Sequence, residues 1–448
     1  MSINNPTKTY ERNRKRNIER SSQTSYLKQI VVKNLTITSV EDETNVAVLG
    51  VNITSILAIE YYENIFEPVI QLDVVFVSDD NALSQLKLRG TEKVSIEIEH
   101  PTGTLEFDDL VLVAFVQNQS ESTATTFTIR AQPVGVVNNE KNRVTQRYDP
   151  KVVGTVHVKN ILQTQIGASE DDIDIEDSAN QVGFFGNYWR PFKALYWIAK
   201  RSISGSMPEE GGATDRVGFL FWQTKSGYKF KSVDTMISDS KKGTIYEYVQ
   251  NDAISDNPNF DLYEPRFEVD QNIILQMMNS MYGESRRFFN LHTLKLSGDI
   301  PFNKSDAQQA HLGEEETTEV KYDINENPSV PTRNVVMDFT MRRDGTIHDG
   351  SEKKLTDGEY DPHRIISQSR MRYQSLLSRS LRVSVAMNLD LEAGDVVSIK
   401  LIDTMRGTDE WMSGLYIIKD LKHSYITRKN GVQCYTFLRL IKDTPGDD

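Results

Sequence analysis

One cysteine, Cys434, stands among 448 residues. A lone thiol excludes an intramolecular disulfide framework and any zinc site built from several cysteines. It lies in VQCYTFLRL, which alternates as a strand does, so a buried structural thiol is expected rather than a nucleophile. Long apolar runs are missing as well. No stretch of about 18 apolar residues exists to span a bilayer as a helix, and no apolar h-region follows the basic residues near the start. These absences imply synthesis and folding in a cytoplasm. Catalytic signatures are equally scarce: there is no GxSxG elbow, Walker loop, dinucleotide fingerprint or HExxH. The seven histidines (His100, His157, His292, His311, His348, His363 and His423) are scattered, so packed or surface roles are expected for them ahead of a metal cluster. No catalytic residue, metal or cofactor is expected.

What is present fits a large polar chain. Hydrophobic residues make up 38% and charged residues 26%, and 448 residues exceed what one hydrophobic core serves, so two to four packed units are expected. The net charge of -13 opposes binding to phosphate backbones and leaves sequence-specific nucleic-acid recognition unexpected. The visible basic patch is KTYERNRKRNIER, where Lys8, Arg12, Arg14, Lys15, Arg16 and Arg20 face Glu11 and Glu19. It has no apolar face. A solvated terminal arm is the first reading, a docking arm the second and a nucleic-acid contact the third.

Along the chain, residues 1–25 form this arm. Residues 26–138 carry short alternating runs such as YLKQIVVKNLTIT, PVIQLDVVFVS and TTFTIRAQPV, with Gly50, Asp79-Asp80-Asn81, Gly90 and Pro101-Thr102-Gly103 at the breaks. That pattern predicts an all-β unit. Residues 139–255 mix types. YWRPFKALYWIAKRSI places Phe192, Leu195, Tyr196 and Ala199 on one helical stripe behind Pro191, and VGFLFWQTKSGYKFKSV predicts a hairpin around Ser226-Gly227. Residues 256–448 open with a helix running into a strand from Phe267. Two polar insertions follow, Asn303 to Thr332 and Arg342 to Pro362. A helix containing Met371, Leu376 and Leu377 then leads into a second strand-rich unit ending in a hairpin at Lys429-Asn430-Gly431. The fold class expected is mixed but mainly β. It comprises two similar barrels, an intervening α/β domain and a helix-containing insertion. A loose echo links the two strand-rich units: Gly90-Thr91-Glu92-Lys93-Val94 and Gly394-Asp395-Val396-Val397 each lead into an alternating strand.

Carboxylates are abundant, and 64 Asp and Glu residues guarantee accidental pairs, so a glycosidase-like pair stays open. The densest run, ASEDDIDIEDSAN, begins like a calcium loop but lacks its glycine and closing glutamate. A solvated acidic loop is expected there. The aromatic cluster from Phe184 to Trp197 is expected to pack a helix rather than to form a sugar platform.

Two stretches carry a family likeness. In Glu60–Ile98 a strand ends at the corner Glu63-Asn64-Ile65-Phe66 before Pro68, resumes to Ser78-Asp79-Asp80, and reaches the turn Gly90-Thr91-Glu92. This resembles the first barrel of central baseplate hub proteins from contractile-tailed phages. The C-terminal unit, with Ser380-Leu381, Leu391, Gly394-Asp395-Val396, Gly414-Leu415-Tyr416-Ile417-Ile418, His423 and Thr436, is similar to the closing barrel of the same hubs and of the VgrG spike proteins of type VI secretion.

The resemblance implies a non-enzymatic homotrimer in a virion tail baseplate. Its two barrels per chain would give pseudo-sixfold symmetry between a hexameric tail tube protein and a trimeric central spike protein. Tape measure and other baseplate proteins would be further neighbours, and the acidic composition would suit a DNA conduit. The residues expected to shape the barrels are Phe66, Pro68, Gly90, Gly394, Asp395, Tyr416 and His423. Two alternatives stay open: a tail-associated cell-wall hydrolase, and a secretion-system hub whose spike is a separate polypeptide, since the chain ends at Asp448 just after the barrel.

Overall fold

The computed structural model describes residues 30–40, 46–49, 54–79, 88–119, 124–205, 216–240, 245–250, 258–269, 272–290, 294–296, 300–303, 311–313, 332–338, 362–403, 407–428 and 431–446. The basic arm and most of both polar insertions lie outside these residues.

The first strand-rich unit consists of β1 (Val31–Thr38), β2 (Val46–Val48), β3 (Thr54–Asn64), β4 (Gln71–Asp79), β5 (Lys93–His100), β6 (Gly103–Gln119) and β7 (Ala124–Pro133). Alternation decides the faces: in β5, Val94, Ile96 and Ile98 are buried while Lys93 and Glu99 are exposed. Each such apolar side chain contributes about 1.5–3 kcal/mol relative to exposure. The middle of the chain holds α1 (Val134–Lys141), β8 (Arg147–Tyr148), α2 (Gly154–Ile161), β9 (Ile173–Ile175), β10 (Phe184–Phe185), α3 (Pro191–Ala199), β11 (Phe219–Thr224), β12 (Gly227–Ser232) and α4 (Val233–Ser240). Pro191 opens α3, whose Phe192, Leu195 and Ile198 enter a core with Val158, Leu162, Phe221 and Phe230. The remainder comprises β13 (Glu247–Val249), β14 (Tyr263–Val269), α5 (Ile273–Met278), β15 (Gly283–Asn290), β16 (Lys295–Leu296), β17 (Ile300–Asn303), β18 (Thr332–Asp338), α6 (Pro362–Leu376), β19 (Arg379–Ala386), β20 (Val396–Lys400), β21 (Ile402–Asp403), β22 (Gly407–Thr408), β23 (Gly414–Arg428) and β24 (Gly431–Lys442).

The chain is mainly β, and thirteen strands form one sheet in the order β14-β19-β24-β23-β3-β4-β7-β6-β5-β1-β2, with β20 and β13 attached beside β23. The two strand-rich units therefore join without a break where β3 pairs antiparallel with β23, Tyr61 lying opposite His423. One hydrophobic core runs beneath both, from Leu35 and Val74 to Val385 and Leu440.

The units repeat each other. In chain order, β3, β4, β5, β6 and β7 correspond to β14, β19, β20, β23 and β24. Every pairing in the first set (β3 with β4, β4 with β7, β7 with β6, β6 with β5) recurs in the second. The bulges recur too, between Leu112 and Ala114 in β6 and between Ile418 and Asp420 in β23. The echo in the sequence thus has a structural basis in shared topology.

Three local readings change. Glu247–Val249, within the segment read as the middle domain, pairs in parallel with β20 of the second unit. At Phe267 the chain is still in strand β14, and the expected helix running into a strand starts later, as the six-residue α5 leading into β15. The expected acidic loop contains β9, which pairs in parallel with β12. Ile173 and Ile175 pack against the middle core there, while Asp174 meets Lys229 at 3.0 Å and Lys231 at 2.9 Å.

Candidate functional site

The corner after β3 is built by Asn64, whose Oδ1 accepts the Phe66 N–H at 2.7 Å while its carbonyl accepts the Glu67 N–H at 3.1 Å. This turn drives Ile65, fully buried, into a core shared with Leu220 and Trp222 of β11 and with Val396, Leu415 and Ile417 of the second unit. Phe66 packs on the same cluster under the Lys419 ammonium, its carbonyl accepts the Tyr196 hydroxyl at 3.1 Å, and Pro68 is half-buried beside it. The corner is a joint between three parts of the chain.

Glu63 is the centre of that joint. Its alternation with Ile59 and Tyr61 turns it inward, and 3% of it is exposed. Oε1 accepts from the Tyr61 hydroxyl at 2.6 Å and from the Lys225 N–H at the hairpin tip at 2.8 Å; Oε2 accepts from the Ala393 N–H at 2.6 Å. Burial outweighs these three donors and pushes the carboxyl up to about 8. The hairpin β11–β12 inserts beside it. Trp222 Nε1 donates to the Ala393 carbonyl at 2.9 Å, Thr224 and Ser226 hydroxyls reach Glu392 Oε2 at 2.8 and 2.7 Å, and Lys225 Nζ donates to the Leu389 carbonyl. The first unit closes the ring of contacts through Thr102, whose Oγ1 accepts the Leu389 N–H at 2.8 Å.

The two glycine turns occupy equivalent places. Gly394 N–H donates to the Ile418 carbonyl and Ile418 N–H returns to Asp395; Thr91 N–H donates to Leu112 and Leu112 N–H returns to Glu92. In each, the acid accepts the N–H three residues earlier, Glu392 to Asp395 at 2.8 Å and Arg89 to Glu92 at 2.6 Å. Both donor residues have left-handed backbones, with φ of 100° at Gly394 and 78° at Thr91, while Gly90 adds a φ of 90° one residue earlier. Burial pushes Asp395 up to about 6. Tyr416, on β23 facing the main core, donates to the Met412 carbonyl at 2.6 Å. His423 is buried with Nδ1 2.9 Å from Thr436 Oγ1 and its ring stacked on Tyr61, and burial, followed by the nearby Lys225 and His100, lowers it to about 3. The structure thus gathers Phe66, Gly394 and Asp395 about the joint, sets His423 at the adjoining seam, and leaves Gly90 and Tyr416 apart from it.

Sequence reasoning did not reach Glu63, Trp222, Lys225 or Glu392. For Glu63 a signal existed: a carboxylate at an inward position of an alternating strand. A second buried tie went unread. Arg372, fully buried on α6, donates to Asp234 of α4 and to Asp443 beyond β24, each at 2.9 Å, and His311 Nδ1 lies 2.9 Å from the same Asp443. The hydrogen bond to His311 and the charge on Arg372 hold the Asp443 carboxyl well below its ordinary range.

The opposite face of the sheet is polar and runs across both units. Arg130 pairs with Asp73 at 2.9 Å, Lys422 with Glu60 at 2.9 Å, and Arg439 with Asp420 at 2.8 Å and Glu268 at 2.7 Å. A groove of about 780 Å³ opens there along Tyr62, Asn64, Arg382, Asp420, Lys422 and Arg439. Among the described residues no cluster of His, Cys, Asp and Glu is placed to hold a metal, and no helix is long and apolar enough to cross a membrane.

Comparison with known proteins places this architecture. Superposition on the tail protein from Neisseria meningitidis MC58 gives a TM-score of 0.53 at 9% identity, over 92% of this chain and 96% of that one. The chain shares the fold of that tail protein. Looser superpositions reach the 43 kDa tail protein of prophage MuSo2 from Shewanella oneidensis (TM-score 0.49, 7% identity, 92% and 100% of the two chains). They also reach an E. coli type VI secretion component described as similar to the T4 tail proteins gp27 and gp5 (0.45, 9%, 92% and 76%). No family model and no curated protein sequence matches the chain.

Proposed function

We propose that the chain is a structural hub of a contractile tail baseplate, a homotrimer whose two strand units per copy form a ring of six between a hexameric tube and a trimeric spike. The observation that carries this reading is the duplication of five strands with the same chain order, the same pairings and the same bulge. A trimer presents a sixfold surface when each chain offers nearly the same element twice. The buried joint serves the same end. Glu63, Trp222 and Arg372 lock both units to the middle segment, so the spacing of the two repeats is fixed before assembly.

The polar sheet face is the surface we assign to the bore. Its acids are matched by Arg130, Lys422, Arg439 and Arg382, which makes it charge-balanced rather than acidic as the composition suggested. A balanced wall gives a passing polyanion little counterion-release binding. Native mass spectrometry together with a peptidoglycan-release assay tests the reading. Trimers without turnover support it; monomers that release fragments, with the release abolished by one carboxylate-to-amide change, would establish the hydrolase reading instead.

A further inference from the structure

In the second unit, β23 is used twice along its length. Its early residues pair with β20, Val396 opposite Ile417; beyond the bulge at Ile418 and Asp420 its later residues pair with β3, Tyr61 opposite His423 and Glu60 opposite Ser424. The equivalent strand β6 begins the same way, pairing with β5 through Lys93 opposite Val111 before its bulge at Leu112 and Ala114. Beyond that bulge, among the described residues, no strand pairs with its outer edge. Val113, Phe115 and Val116 are exposed there at 36%, 38% and 55%. At the far end of the sheet β14, the equivalent of β3, pairs with β19 on one side and, among the described residues, with no strand on the other. A long open edge with apolar side chains is a template for another strand.

We infer that β14 of one copy adds antiparallel to the segment Val113–Gln119 of β6 in the next, in the register the chain already uses between β3 and β23. The register follows by transposition. The matched bulges and turns make Ala114 the counterpart of Asp420, and hence Gln117 the counterpart of His423 and Asn118 of Ser424. The partner positions carry the match through the sheet: Arg439 corresponds to Arg130, Arg382 to Asp73, Arg266 to Glu60 and Phe267 to Tyr61. Phe267 therefore lies opposite Gln117 of the neighbour, and Arg266 opposite Asn118. The contact is head-to-tail, so it generates a ring or an open filament. The hub reading supplies closure at three copies; the pairing itself follows from the repeat.

Cysteine cross-linking of the full chain tests this, because the native Cys434 is buried with its thiol pushed up to about 12 and stays silent. Opposed residues in an antiparallel pair have Cα atoms about 4.5–5.5 Å apart, within disulfide reach. Phe267→Cys combined with Gln117→Cys is expected to give chain-to-chain disulfides on mild oxidation, running as linked pairs and closed threes. Either single variant should give at least about tenfold less. The control pair Arg266→Cys with Gln117→Cys, on opposite faces, should not link. Gln117 and Phe267 are exposed in the single chain, so neither change threatens folding. Trimers by native mass spectrometry without the cross-link, or with equal linking of the control pair, would overturn the strand addition while leaving the hub reading intact. Monomers at every concentration without a cross-link would overturn both.

Discussion

Gly394 and Thr91 occupy the same place in two copies of one turn, yet the residues differ. At Gly394 a Cβ would stand 2.8 Å from Trp222 Cζ2 and the φ is 100°, so both space and backbone demand glycine. Gly394→Ala is expected to cost about 2–4 kcal/mol in urea unfolding. Gly407→Ala, at a φ of 87° with nothing within 4 Å, should cost about 1 kcal/mol. At Thr91 the backbone strain is present without the crowding, so Thr91→Gly should stabilise by roughly 0.5–1 kcal/mol. Glu63 adds a pH dependence. Its carboxyl is raised from 4.5 to about 8, so its contribution is complete below pH 4.5 and is lost as pH rises through 8. Asp395 acts in the same direction up to about 6, whereas His423, lowered from 6.5 to about 3, opposes both below pH 6.5. The thermal unfolding temperature should therefore fall between pH 6.5 and about 8 for the wild-type chain and level off above that, while staying nearly flat over the same range for Glu63→Gln; parallel curves would leave Glu63 without this role.

At the scale of elements, the two kinds of charged contact carry different weight. Arg372 joins α6, α4 and the end of β24 from full burial, and removing it takes the guanidinium away from two buried carboxylates, Asp234 and Asp443. Arg372→Ala should cost about 3–5 kcal/mol, against at most about 1 kcal/mol for Lys422→Ala on the polar sheet face, both by urea unfolding. Local elements were legible in the sequence for physical reasons. Strand alternation, Pro191 at a helix start and the hairpin at Ser226-Gly227 are all encoded within a few residues. The partner of each strand is not encoded that way. Nothing in β3 names β23, and nothing in α6 announces that Arg372 meets acids on α4 and after β24. The Glu63 joint was legible in part, through the unusual corner at Asn64 to Pro68, but its two backbone donors come from the hairpin tip and from the loop before β20. β9 was missed because its alternating isoleucines sit inside an acidic run, where Asp174 between them is met by Lys229 and Lys231 of the neighbouring strand.

At the scale of the whole molecule, the repeat explains features that are idle in one chain. The glycine and threonine turns, the paired bulges and Arg130 with its counterpart Arg439 place the same surface twice along one continuous sheet. The buried joint keeps those two surfaces in fixed relation, and in the proposed ring the edges of β6 and β14 that carry no strand among the described residues are where neighbouring copies would meet. In the proposed assembly, three chains make six equivalent units. Electron microscopy of the purified full-length chain, with particle averages classified by symmetry, tests it most directly. A threefold ring with a central opening and six similar lobes is expected; particles of compact single chains, or of even-numbered rings, would contradict this assembly.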